Sequence, residues 1–234
     1  MTQEEIERML SSVTPVSEQK EEPVTVLDPA NILHIPSLRK GGANEAINIL
    51  LSSGIISFSN FFEVEIHAGL PHFDFYADQS MMNRVLFGDH ERITVLHHFE
   101  PMKISSLGNI EGYIALSLNR KFFAEYWKDH QVEHPLQFLT SKERGAYKSS
   151  VSGEIGSMFT GSAVTSLSEL ISETFTFEAA DMRSIENLVS GGGLAFVGML
   201  PFYFSTYRFE AYLLLDWRSA HVLMDKLEQF VADE

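Results

Sequence analysis

Apolar and polar positions along the chain fall into two similar series of elements. From Leu27 onward, the first series predicts a helix over about 42–62, a strand near 63–68 and short elements near 78–87. Strands near 92–98, 102–107 and 110–118 follow, and a helix over about 119–129 closes the series. The second series opens with a helix over about 141–171, with Thr140 and Glu143 at capping-box spacing. It continues through a strand near 174–179, a short helix near 182–189, strands near 194–200 and 204–215, and a last helix near 216–231. Gly191, Gly192 and Gly193 interrupt this pattern and read as a flexible turn. Runs of strands with short connections, separated by helices, predict an α+β fold with a largely antiparallel sheet. Helix–strand–strand–strand–helix occurs twice.

Ahead of these series, Thr2 and Glu5 have capping-box spacing, and Ile6, Met9 and Leu10 share one helical face. A short amphipathic helix is expected over residues 2–11, within an N-terminal peptide of residues 1–12. Three turns are too few for a stable isolated helix in water, so its apolar face needs a surface, a partner's or its own domain's. Residues 13–28 are rich in Ser, Pro and Glu and read as a flexible linker, leaving 29–234 as the folded domain with two half-repeats.

The duplication is visible when the segment beginning at Glu45, EAINILLSSGIISFSNFF, is set against that beginning at Glu154, EIGSMFTGSAVTSLSELI. Glu45 meets Glu154, Asn48 meets Ser157, Ser52 meets Gly161, and Ser57 meets Ser166. Ser52, Ser53, Ser57 and Ser59 in one helix, with Gly156, Gly161, Ser162, Ala163 and Ser166 in the other, leave room for close approach of two helices or of helix and sheet. Gly and Ser lower helix propensity, so stability is given up there for proximity.

Composition narrows the functional classes. The 234 residues are 44 % apolar and 21 % charged, ordinary for a globular chain. A formal charge of −15 without a Lys/Arg stripe argues against a nucleic-acid partner. Cysteine is absent, which excludes disulfides, thiolate nucleophiles and Cys-based metal sites. The acidic start MTQEEIERML is not a signal peptide, and no run of about 18 apolar residues suggests membrane insertion. A soluble cytoplasmic protein is expected.

Glu45 and Asn48, three residues apart on a helix, project from one face near its beginning, as do Glu154 and Ser157 in the second copy. A carboxylate beside an amide can pair with a cation and orient a water. These residues resemble the motif of the CheC, CheX and FliY group of chemotaxis and flagellar-switch phosphatases, Ser/Asp-x3-Glu-x2-Asn-x22-Pro. Glu45, Asn48 and Pro71 match at the full interval, while Gly41 stands at the leading position. In the second copy Ser150 and Glu154 match, but Ser157 replaces Asn and Ala180 stands where Pro is expected. The resemblance extends from about residue 30 to 232 and takes in the GNIEG turn at Gly108–Gly112 and the closing helix at Ser219–Phe230. The peptide TQEEIERML resembles the CheY-binding leading peptide of FliM and FliY, which assigns partner binding to Glu5, Ile6, Met9 and Leu10.

The resemblance implies a pseudo-twofold CheC-like fold with two long helices packed against the sheet. It implies hydrolysis of the aspartyl phosphate on the response regulator CheY, ending the signal to the flagellar motor. Asn48 would position the attacking water, Glu45 would pair with a CheY lysine, and Pro71 would shape the site edge. No intrinsic cofactor is implied, since Mg2+ sits on CheY. The second site, with Glu154, Ser157 and Ser150, is expected to be degenerate. The alternative is a non-catalytic flagellar switch or adaptor protein of the same fold that binds CheY, a reading favoured by Gly41, Ser157 and Ala180. CheD and flagellar switch proteins are further partner candidates. FliY and FliM normally carry a C-terminal FliN-like domain, and none is expected after Glu234.

Other motifs carry less. His130–His134 spells HQVEH, a literal zinc-protease pattern, but Pro135 follows at once and no third ligand is placed, so an exposed loop is expected and no metal site. His97 and His98 lie in a strand and point to opposite faces, predicting one buried and one exposed imidazole. Phe58, Phe61, Phe62, Phe122 and Phe123 are expected to fill the core.

Overall fold

A computed structural model of the chain describes residues 37–103, 110–130, 140–181, 183–192 and 194–232. Glu5, Ile6, Met9 and Leu10, the linker, and residues 131–134 of the HQVEH motif lie outside the described residues. The elements in chain order are α1 (Ser37–Phe62), β1 (His67–Ala68), β2 (His72–Tyr76), α2 (Gln79–Phe87), β3 (Arg92–Pro101), β4 (Gly112–Asn119), α3 (Arg120–His130), α4 (Ser141–Ile171), β5 (Phe175–Ala180), a 3-10 segment (Ser184–Gly192), β6 (Ala195–Phe204), β7 (Tyr207–Asp216) and α5 (Trp217–Ala232). The class is α+β, as the sequence pattern predicts, and every strand pairing is antiparallel.

The sheet runs β1-β6-β7-β4-β3-β5, with β2 beside β1 on the same edge of β6. Read from either end, this order exchanges the two halves of the chain. β4 and β7 pair at the centre, and each half lends an edge strand to the other: β1 and β2 pair with β6, and β5 pairs with β3. Strand exchange of this kind binds the two repeats into one sheet, so neither half is a separable domain.

The helix ends repeat too. Glu63 after α1 and Ser172 after α4 are 109 positions apart and both adopt left-handed backbone, φ 53° and 55°. The next residue in each case donates its amide back into the last turn, Val64 N–H to Ser59 O at 3.1 Å and Glu173 N–H to Ser168 O at 3.2 Å. This is the Schellman closure of a helix, here without glycine. It also corrects the strand expected near 63–68: the left-handed stop takes up Glu63, and only His67 and Ala68 enter the ladder.

Helices α1 and α4 lie antiparallel on one face of the sheet with α3 and α5, over a core that includes Ile47, Phe58, Phe159, Phe202 and Phe209, each 0 % exposed. The opposite face is covered by α2 and the 3-10 segment, which bury Met82, Leu86, Ile185 and Leu188 against Tyr113, Val197 and Tyr212. By length and hydropathy Gly42–Phe62 resembles a membrane span. Its apolar residues Ile47, Leu50, Leu51, Phe58 and Phe62 are those buried on the sheet, which is the environment of a core helix.

Four further details depart from the sequence reading. Strand β2 has no predicted counterpart, although Phe73 and Phe75 alternate with polar neighbours. Met102 and Lys103 form a bend after β3, where a strand near 102–107 is expected; residues 104–107 lie outside the described set. Gly191 and Gly192 belong to the 3-10 segment that replaces the predicted short helix and are not a flexible turn. Phe61 is 47 % exposed, with its ring edge-on to that of Phe62 at a centroid distance of 4.9 Å.

Candidate functional site

In α1, Glu45 is exposed and Asn48, one turn later, is half-buried on the same face. Ser52, one turn further on, donates its hydroxyl to Asn48 Oδ1 at 3.2 Å. That contact fixes the amide rotamer. The Asn48 Nδ2 hydrogens and the second lone pair of Oδ1 make no hydrogen bond among the described residues, so both remain available to a water or a partner. Glu45 forms no ion pair among the described residues and presents its charge to solvent. Ser52 has no place in the sequence reading of the site; its i+4 spacing from Asn48 is the signal that could have found it.

The ridge is held by what lies beneath it. Ile47, between Glu45 and Asn48, sits over Gly198 of β6, where an added Cβ would come 2.6 Å from Ile47 Cγ1. Gly198 pairs with Phe73 of β2, two residues after Pro71. Pro71 is half-buried in the link between β1 and β2 and has no N–H to offer the ladder, so it divides this edge strand in two. Leu70 beside it is 87 % exposed. Pro71 lies in the sheet edge that connects through Phe73 and Gly198 to the turn of α1 carrying Asn48. Gly41 lies within α1, in the turn before Glu45.

The second copy is built differently. Ser150, Glu154 and Ser157 are all exposed on α4, and Ala180 stays in an unbroken ladder opposite Leu96. Beneath Ser157 the sizes are reversed. Gly156, the counterpart of Ile47, lies over β3, where an added Cβ would meet Val95 Cγ1 at 2.4 Å and His97 Cε1 at 3.0 Å. The space that Ile47 fills from above in the first copy is filled in the second from below, by Val95 and, beside it, His97. The His97 ring is 2 % exposed, with Nε2 3.1 Å from Ser157 Oγ and Nδ1 3.2 Å from Thr160 Oγ1. Burial holds the imidazole below its ordinary range, in the neutral form. The expected division between His97 and His98 is met only in part: His97 is buried, but His98 is half-buried with its ring 5.0 Å from Tyr113.

Among the described residues no group of three His, Asp or Glu could hold a metal ion.

No family model matches the chain, and no curated protein matches it. Solved structures do. FliY from Thermotoga maritima superposes with a TM-score of 0.55 at 16 % identity, over 84 % of this chain and 98 % of that one. The chain has the FliY fold. The FliM middle domain from H. pylori gives a TM-score of 0.50 at 11 % identity, covering 82 % of this chain and 99 % of its own. The same protein in the FliM–SpeE complex gives 0.51 at 11 % identity, over 83 % and 97 %. The architecture implied by the motif, two long helices on an antiparallel sheet with internal pseudo-twofold symmetry, is therefore that of the flagellar-switch proteins FliY and FliM.

Proposed function

We propose that this chain hydrolyses the aspartyl phosphate of a phosphorylated CheY-type response regulator, using Glu45 and Asn48 on α1. The observation that carries the reading is the Glu45–Asn48 pair on one face of α1, with Glu45 exposed and the half-buried Asn48 amide steadied by Ser52, in a FliY-type fold. In the reaction, water attacks phosphorus, the bond to the aspartyl oxygen breaks, and the products are inorganic phosphate and a free carboxylate. The regulator would supply Mg2+ and the labile phosphoryl group, so this chain need only place the water and dock. Asn48 would hold the attacking water in line, a contribution of orientation and electrostatics. Glu45 would form a charge-assisted pair with a lysine of the regulator. The peptide around Ile6, Met9 and Leu10 would raise the local concentration of the partner. A cytoplasmic place near the flagellar motor belongs to the same proposal.

A non-catalytic switch or adaptor protein is the second reading, favoured by Gly41 at the leading motif position and by the FliM-type fold. The lifetime of the phosphorylated regulator separates the two. With catalytic amounts of the full chain, the phosphatase reading expects accelerated phosphate release. The adaptor reading expects binding with an unchanged lifetime.

A further inference from the structure

The geometry points to Ser157 as a nucleophile, with His97 as its base, that accepts a phosphoryl group from an acyl phosphate. This goes beyond hydrolysis at Asn48. It concerns the second copy, where the family motif is lost.

Three features of a base-activated hydroxyl converge there. Ser157 is exposed and its Oγ lies 3.1 Å from Nε2 of His97, within reach for proton transfer. Thr160 Oγ1 lies 3.2 Å from Nδ1; in the tautomer in which it accepts Nδ1–H, the Nε2 lone pair is left for the Ser157 proton. The ring cannot swing away, since it is enclosed by α4 above and by Phe177 at a centroid distance of 5.8 Å. Gly156 is what admits it, because any side chain there would occupy the space of Val95 and His97.

An isolated serine on a helix would need none of this. Ser157 and Thr160 partner the two nitrogens of this buried imidazole, and the hydroxyl on Nε2 is the one that also faces solvent. Isoleucine over glycine fills the same space in the first copy. The charged groups near the ring are few. Glu154 on α4 is exposed one turn before Ser157, Glu178 on β5 shares the opposite sheet face with His98, and β4 contributes Ile114 opposite His97. Burial, not a carboxylate, keeps the imidazole neutral.

Ser157 Oγ attacks phosphorus of the acyl phosphate, the bond from phosphorus to the acyl oxygen breaks, and the carboxylate departs. The hydroxyl proton passes to His97 Nε2 and then to solvent, leaving phosphoserine and a free carboxylate.

The test uses the full chain with acetyl phosphate and Mg2+, followed by peptide mass spectrometry. One added phosphoryl group is expected on Ser157, none on that peptide in Ser157→Ala, and labelling about 100-fold slower in His97→Gln, the scale of general-base assistance. The wild-type rate should fall as the pH drops through the imidazole titration, whereas His97→Gln should show no such step. Thr160→Val, close in shape, should also slow labelling and covers the case in which His97→Gln does not fold. An unmodified Ser157, or equal labelling in wild type and both variants at every pH, overturns the proposal. The donor is a small molecule and the readout lies on this chain, so the result does not depend on whether Asn48 hydrolyses a partner's phosphate.

Discussion

Ser53 Oγ and Ser166 Oγ lie 2.5 Å apart across the α1–α4 interface, and Ser57 Oγ meets Ser162 Oγ at the same distance. In the alignment of the two copies Ser53 corresponds to Ser162 and Ser57 to Ser166, so each contact is the symmetry mate of the other. The pseudo-twofold axis passes between the helices at this point. Small hydroxyl side chains let the helices approach while satisfying one another's polar groups. The close approach allows one pair of helices to carry both candidate sites.

Packing beside the serines gives a stability prediction. Gly54 faces Phe159, and an added Cβ would lie 2.6 Å from Cζ of a ring that is 0 % exposed and has no room to retreat. Gly54→Ala gains about 1 kcal/mol of helix propensity. Overpacking costs about 1–3 kcal/mol, so the net change is a loss. Urea denaturation should show a lower midpoint for Gly54→Ala and partial recovery in Gly54→Ala/Phe159→Leu.

Beneath the sheet's other face, Glu210 is bound by Arg92, by Arg208 Nη2 at 2.7 Å and by the Tyr212 hydroxyl at 2.5 Å. Burial and the adjacent carboxylate push the Tyr212 phenol up, so it stays a donor. The Arg92 side chain is 18 % exposed and that of Arg208 47 %. Arg92→Leu should therefore destabilise by about 3 kcal/mol, the scale of a broken buried pair. Arg208→Leu should cost no more than about 1 kcal/mol. Chemical denaturation of the two variants checks the order.

His97 makes stability depend on pH. Its folded-state pKa is depressed below the ordinary 6.5, so the unfolded chain binds the proton more readily. Below about pH 6.5 the native state accordingly loses stability, until the pH has passed below the folded-state value. Denaturation midpoints compared between pH 7.5 and lower pH should fall further in wild type than in His97→Gln, which lacks the titrating ring.

Much of the fold is legible in the sequence because its long helices carry strong periodicity. The helix predicted over 141–171 is α4 residue for residue, and the repeat aligned at Glu45 and Glu154 has its structural mark in the paired serines and the matching helix ends. Strand β2 is missed because His72–Tyr76 is short, lies at an edge and owes its place to pairing with β6, a partner some 120 residues away in sequence. At the site, spacing puts Glu45 and Asn48 on one face but says nothing of Ser52 holding the amide. Alternation along a strand puts His97 and His98 on opposite faces without saying which points inward. That His97 rises beneath Ser157 depends on Gly156 and on the register of α4 over β3, which only three-dimensional packing fixes.

Glu45 should act in docking. Its loss removes one charge-assisted hydrogen bond, about 1.5 kcal/mol or more, so Glu45→Ala should raise KM for the phosphorylated regulator about tenfold while changing kcat less. Steady-state phosphate release separates the two parameters.

The central claim is that Asn48 places the attacking water. The most direct measurement is the rate of phosphate release from phosphorylated CheY with wild type and with Asn48→Ala, at saturating chain. A fall of about 100-fold with regulator binding retained is expected from loss of a positioned nucleophile. Release by Asn48→Ala at the wild-type rate would contradict the account.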